Sequence, residues 1–249
     1  MSKTYAALKR ADVDKSGLNG FARNNGHASA RNHWDNGVPN RLEYEKIRVW
    51  MTHPAGLDQR VYSAMVVGCQ SGTGTTTTAA LLAATLAEAK KSRVLIIDSN
   101  FRTPSLNSVF RVKDNGGFSQ VVSEGLPFAA HTQPTNRQNL FVLSSGQSPI
   151  VPAELFEEDS LEKFLCQLKP HFEFIIFDAA PLLEFPDAYA LAPKVDGVIM
   201  VIEAEKTSIE DAQKVKRHLE QVGARILGVV LNRQKDYRPA FLKNFFSAN

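Results

Sequence analysis

Six short apolar runs punctuate the chain from Val61 to Arg233: SAMVVG, RVLIID, NLFVLSS, FEFIIFD, DGVIMVI and RILGVVLN. Each is of strand length, rich in valine and isoleucine, and lacks the polar alternation of a half-exposed strand, as expected when both faces of a sheet are covered. The stretches between them have helical length and amphipathic spacing, so the pattern predicts βα units: an α/β fold with a mainly parallel sheet and helices on both faces. The clearest helix, TSIEDAQKVKRHLEQVG, sets Ile209, Ala212, Val215, Leu219 and Val222 along one side, with its charges on a solvated face. Thr207 and Glu210, three apart, read as a capping box at its start, and Gly223 as its stop.

Ahead of Val61 the texture differs. Thr4 to Arg10 predicts a short helix, placed within 1–14. The polar run that follows is full of glycine and asparagine and cannot bury enough apolar surface to offset its ordering entropy, so 15–40 reads as a flexible linker. RLEYEKIRVWM then sets Leu42, Ile47, Val49 and Trp50 among charges, predicting a helix that packs on the core or on a neighbour. The expected organisation is one α/β domain over 41–235 with a tail over 236–249.

A length of 249 residues suits a single core of this kind, and 43% hydrophobic with 22% charged residues excludes a disordered or fibrous chain. The net charge of +3 is too small for the basic face of a nucleic-acid binder. Cys69 and Cys166 are far apart and belong to no CxxC pair, which points to a reducing, cytoplasmic compartment without zinc or disulfides. The start of the chain lacks the apolar stretch of a signal peptide, and no run reaches the eighteen or so apolar residues that span a bilayer. Membrane contact is therefore expected only through a partner.

The chemistry concentrates after the first strand, where GCQSGTGTTTTAALLAATLAEA is a glycine-rich turn opening a helix. The phosphate-binding pattern is a strand, a GxxxxGK loop ending in Ser or Thr, and a helix whose first amides point at phosphate. Gly72 and Gly74 fall where backbone must approach phosphate closely, with Ser71, Thr73 and Thr77 beside them. Thr76 falls at the magnesium-binding hydroxyl. Thr75 occupies the place of the lysine. An ammonium there supplies charge-assisted hydrogen bonds of about 1.5 to 3 kcal/mol each, and losing a donor aimed at transition-state charge typically slows a reaction about a hundred- to thousandfold. Read alone, such a loop could still be an ordinary glycine- and threonine-rich turn. Two further runs, VLIIDSNFR and FIIFDAAP, end strands in Asp98 and Asp178. Singly, either could be a helix cap. Together, at the C-terminal ends of parallel strands beside the loop, they are well placed to hold magnesium or its waters.

With these motifs the chain resembles the bacterial tyrosine kinases and their CpsD/CapB-type relatives, within the deviant-Walker P-loop ATPases that include ParA and MinD. The resemblance runs from the opening SKTYAALKRA to LGVVLNR, leaving aside the linker. It rests on the degenerate Walker A loop, on VLIIDSNFRTPSLNSVF as A-prime, on FIIFDAAPLLEFPDA as Walker B, and on PAELF and LGVVLNR. It implies an ATP or ADP and magnesium site, autophosphorylation of C-terminal tyrosines, self-association into a homo-oligomer, and a membrane adaptor of the polysaccharide co-polymerase type. By position, Thr76, Asp98 and Asp178 would be the metal residues, and the two aspartates the catalytic carboxylates. Ser71 to Thr77, Arg102, Asn232 and Arg233 would bind nucleotide.

The chain departs from the family at several points. Gln70 stands where ParA and MinD carry a signature lysine, and Asn100 replaces the second A-prime acid. The ring-forming ExxRxxR pattern reads Leu42, Glu45 and Arg48, and the tail holds only Tyr237 beside Phe241, Leu242, Phe245 and Phe246. Two functions result. One is a kinase-like protein at the inner face of the cell membrane that regulates surface or exopolysaccharide synthesis through partner contacts, with weak or no catalysis. The alternative is an active ATPase or tyrosine autokinase of the export machinery, with a cation from elsewhere replacing the lysine.

Overall fold

The computed structural model describes residues 41–52, 62–88, 92–113, 116–147, 155–156 and 159–234. The expected N-terminal helix, the linker, and the tail with Tyr237 and its phenylalanines lie outside the described residues. All six apolar runs are strands: β1 (Ser63–Gly68), β2 (Val94–Asp98), β4 (Leu140–Leu143), β5 (Phe174–Asp178), β6 (Gly197–Glu203) and β7 (Ile226–Asn232), with a two-residue β3 (Gln133–Pro134) between the second and third. They form one sheet in the order β3-β4-β2-β5-β1-β6-β7, parallel throughout except for β3 against β4. Helices are α1 (Arg41–Thr52), α2 (Thr75–Glu88), α3 (Leu106–Phe110), α4 (Phe118–Ser123), α5 (Phe128–His131), α6 (Asp159–Leu168), α7 (Ala188–Leu191) and α8 (Ile209–Gln221).

The uniform hydrophobicity of the strands has a simple cause: alternate side chains feed two separate cores. Met65, Val67, Leu95, Ile97, Ile175 and Phe177 enter one, with Phe118, Phe156, Phe164, Val215 and Leu219. Ala64, Val66, Val94, Ile96, Phe174 and Ile176 enter the other, with α2 and α1. Phe118 is the hub of the first, its ring 5.5 to 6.2 Å from those of Phe101, Phe156, Phe164 and Phe177. Within α2 every residue from Thr78 to Ala87 is buried, because the helix lies between the sheet and α1.

Two helix expectations are corrected. In α1 the buried residues are Tyr44, Ile47 and Met51, while Leu42 and Val49 are 73% and 51% exposed. Tyr44, Ile47 and Met51 at i, i+3 and i+7 make the apolar stripe, and Leu42 and Val49 face outward. In α8 Val215 and Leu219 are buried and Ala212 packs beside them, but Ile209 and Val222 are exposed. Its cap is Ser208, whose hydroxyl accepts from the Asp211 amide at 3.0 Å. The Thr207 hydroxyl instead accepts from the Glu203 amide at 2.9 Å, closing the turn that precedes the helix.

The chain leaves β1 to one side through α2 and reaches β2 beyond β5, whereas β6 lies on the other side of β1. The C-terminal ends of β1, β2 and β5 thus open onto a topological switch point, where open α/β sheets bind ligands.

Candidate functional site

The loop between β1 and α2 is shaped by its glycines. Gly72 and Gly74 have φ of 79° and 85°, a region costly for any other residue. A side chain on Gly74 would also strike the Asn232 amide, and one on Gly68 the hydroxyls of Thr73 and Thr75. Asn232, fully buried at the end of β7, donates to the Thr73 carbonyl at 2.7 Å and clasps the loop from beneath. The Thr73 side chain is turned inward, and its hydroxyl meets that of Thr75 at 3.0 Å. The residue in the lysine position is thereby tied back into the loop. The loop and the start of α2 line a cleft of about 560 Å³, with Ser71, Gly72, Gly74, Thr75, Thr76 and Thr77 on one wall and Asn100, Thr103, Ser105, Pro181 and Arg233 among the others. The first amides of α2 have no partner within the helix, and no acidic side chain sits in its first turn, so this end can receive an anion.

Asp98 and Asp178 are register partners on β2 and β5, side by side and each only 1% exposed. Asp98 caps α3: one carboxylate oxygen accepts from the Ser105 and Leu106 amides at 2.8 and 3.0 Å, the other from the Asn100 amide at 3.1 Å. Burial outweighs these three hydrogen bonds and pushes its pKa up to about 6. Asp178 has no such support. Neither carboxylate oxygen finds a partner at hydrogen-bonding geometry. Burial, then the neighbouring Asp98, hold its pKa well above the usual carboxylate range, and the nearby Thr76 hydroxyl only partly counters this. A buried carboxylate without a donor costs free energy unless it is protonated or meets a cation. Two oxygen-bearing acids with the Thr76 hydroxyl above them suit a hard divalent ion such as magnesium, which keeps several of its waters.

The surroundings hold groups that the one-letter pattern does not reveal. Ser71 donates through both its amide and its hydroxyl to the Glu184 carboxylate, at 2.5 and 2.6 Å. Gln70 donates to Asp211 on α8 at 3.1 Å. Glu203 binds Arg233 at 2.9 Å and Lys206 at 3.2 Å. Burial raises the Glu203 pKa, but those two cations outweigh it and leave the group below the usual value. Arg102 does not join the cleft lining. Its guanidinium donates to Asp187 at 3.1 and 2.8 Å and lies over the Phe185 ring at 5.3 Å. The structure therefore brings together the loop, Thr76, Asp98, Asp178, Asn232 and Arg233, and directs Arg102 to the following loop. Glu184, Glu203 and Lys206 were missed because folding alone brings them to the loop from distant positions. Among the described residues no group of three or more acidic, histidine or cysteine side chains forms a metal cluster, and no helix is long and apolar enough to cross a membrane.

Known proteins resemble this chain in sequence and fold. A family described as AAA domain matches residues 64–231. The chain is 31% identical over 215 residues to the tyrosine-protein kinase YwqD of Bacillus subtilis, covering 86% of this chain and 90% of that one. Among solved structures, the chimerical protein CapA2B2 superposes with a TM-score of 0.75 at 28% identity, over 82% of this chain and 89% of the other. The kinase domain of Escherichia coli tyrosine kinase ETK gives 0.78 at 21% identity, over 94% and 93%, a likeness of fold.

Proposed function

The chain belongs to the bacterial tyrosine-kinase family of P-loop ATPases, and on that premise we propose that it is a kinase-like regulator of surface or exopolysaccharide synthesis and export. It binds ATP or ADP with magnesium at the β1–α2 loop and transfers phosphate weakly or not at all. The observation that carries this reading is the contrast between Thr75 and the aspartate pair. The metal-suited carboxylates are kept in a dry, costly arrangement, while the lysine position holds a neutral hydroxyl paired to Thr73 at 3.0 Å. Loop amides and the α2 N-terminus still favour a bound anion. What is missing is a positive charge at the group being transferred, and mutational precedent for such donors sets its value at about a hundred- to thousandfold in rate.

Bound magnesium would neutralise phosphate charge beside Thr76, Asp98 and Asp178. The chain's own contribution is to seat the phosphates on backbone amides, keep the two carboxylates at one level through the β2–β5 register, and hold the loop shape through Asn232. Regulation then acts by contact with a membrane adaptor of the polysaccharide co-polymerase type or another export protein, at the inner face of the cell membrane and with self-association into a homo-oligomer. Incubation with labelled ATP, with and without membranes carrying the adaptor, tests this reading. Background phosphate release and no phosphotyrosine support it. Sustained release or phosphotyrosine that disappears in Asp178→Ala would establish the active autokinase instead.

A further inference from the structure

Two charged groups outside the loop converge on it: Glu184, in the segment after β5, meets Ser71, and Lys206, on the turn after β6, lies over Gly72. Lys206 lies on the turn between β6 and α8. Its ammonium would lie 3.8 Å from a β-carbon placed on Gly72, so it stands directly over the loop backbone. It pairs with Glu203 at 3.2 Å and is half exposed, which leaves its four-carbon stem free to swing.

The turn that carries Lys206 is fixed to the loop at two points. Asn232 accepts from the Ala204 amide at 2.9 Å through its carbonyl and donates to the Thr73 carbonyl at 2.7 Å through its side chain, so one residue joins turn and loop. Gln70 of the loop reaches Asp211 in the first turn of α8 at 3.1 Å. Within the turn, the Glu203 amide donates to the Thr207 hydroxyl at 2.9 Å, and Glu205 takes a φ of 65°. The lysine is thus presented by a built turn.

A second observation shows what this lip attracts. The Glu184 carboxylate already sits on the Ser71 amide and hydroxyl, and those hydrogen bonds, with the charge of Lys206, hold its pKa below the usual value. An amide and a hydroxyl here hold an anion supplied by the protein itself, and the Lys206 charge favours it.

We propose that Lys206 is the phosphate-contacting ammonium of this site, delivered in the same chain from the β6–α8 turn to the loop where Thr75 leaves no positive charge. The inference rests on the nucleotide reading above. Lys206 pairs with Glu203, which Arg233 shares, and its charge also acts on Glu184. When a nucleoside di- or triphosphate occupies the loop, the ammonium exchanges a carboxylate for a phosphate oxygen, a stronger partner for a compact point charge.

Calorimetric titration with ADP and with ATP, each with magnesium, tests this on the full chain and on Lys206→Met, Lys206→Arg and Lys216→Met. Lys216 is a control lysine on α8, paired to Glu220 at 2.8 Å. Circular dichroism confirms that each variant is folded. Lys206→Met should weaken binding by about ten- to hundredfold, the value of a charge-assisted contact. Lys206→Arg should stay near wild type, and Lys216→Met should not differ from it. Wild-type binding with Lys206→Met within twofold overturns the assignment and leaves the nucleotide reading intact. Equal losses in Lys206→Met and Lys206→Arg also overturn it, because the turn and not the charge would then be at fault. No wild-type binding removes the nucleotide reading itself, and the assignment with it.

Discussion

Asp98 and Asp178 face the same level of the sheet as direct register partners, yet only Asp98 is hydrogen-bonded: three backbone amides serve it, and none serves Asp178. The asymmetry divides their work. Asp98 is held in place by the start of α3 and shapes the turn after β2, while Asp178 stores an unmet demand for positive charge. Such a group destabilises the protein on its own and becomes favourable only with a cation.

The cost appears as a pH dependence. Both carboxyls have folded-state pKa values raised above an unfolded value near 4. Between that value and about 6 for Asp98, and up to the raised pKa of Asp178, the folded chain binds more protons than the unfolded one. Stability from these groups is complete below the unfolded pKa and is lost as pH rises through the folded values. Asp178→Asn, which resembles the protonated acid, should match wild type near pH 4. It should exceed wild type by about 1 to 3 kcal/mol, or several degrees in Tm, by neutral pH without magnesium. Thermal unfolding of both proteins across pH checks this, and a variant less stable at neutral pH would contradict it.

Glu184 occupies the Ser71 amide that a phosphate would approach. Its pKa is lowered, first by the Ser71 hydroxyl and amide, so it stays ionised through the neutral range. Glu184→Gln keeps the size and removes the competing charge. ADP affinity should rise about two- to fivefold, in line with the modest worth of exposed charges. Calorimetry reads this directly, and unchanged or weaker binding would show that the carboxylate does not compete.

The packing of α1 is testable through two neighbouring side chains. Tyr44 is fully buried against α2, whereas Leu42 is 73% exposed. Tyr44→Ala should cost about 3 to 5 kcal/mol in denaturant unfolding, the range for truncating a large buried aromatic residue. Leu42→Ala should stay within about 0.5 kcal/mol. Comparable effects from the two would place α1 differently on the domain.

These contrasts show which features can be read from sequence. The strands were legible because residues buried on both faces leave unbroken apolar runs, and VLIID and FIIFD carry no polar residue before their terminal aspartates. The loop was legible because its shape is local: Gly72 and Gly74 supply the positive φ values of one contiguous turn. The buried stripe of α1 was misread because Tyr44 has a polar tip and Met51 lies at the end of the segment, while Leu42 and Val49 look more apolar. The cap of α8 was displaced by one residue because Thr207, an equally good capping type, is engaged by Glu203. β3 is two residues on the sheet edge, one of them proline, and has no periodicity to detect. Arg102 follows the strand-end Asp98 in sequence, but Asp187, 85 positions away, captures it. Glu184 and Lys206 reach the loop only because β5 and β6 flank β1, a relation set by sheet order and absent from any local spacing.

On the proposal above, the β1–α2 loop and the Asp98–Asp178 pair still hold a magnesium nucleotide without the Walker lysine. Thermal unfolding with magnesium alone and with magnesium and ATP tests it most directly, because a ligand that binds only the folded chain raises its stability by about 2.7 kcal/mol at a hundred times the dissociation constant. The expected result is a concentration-dependent rise of several degrees in the wild-type chain and its loss in Asp178→Ala. No rise in the wild type at saturating nucleotide, or an equal rise in Asp178→Ala, would contradict it.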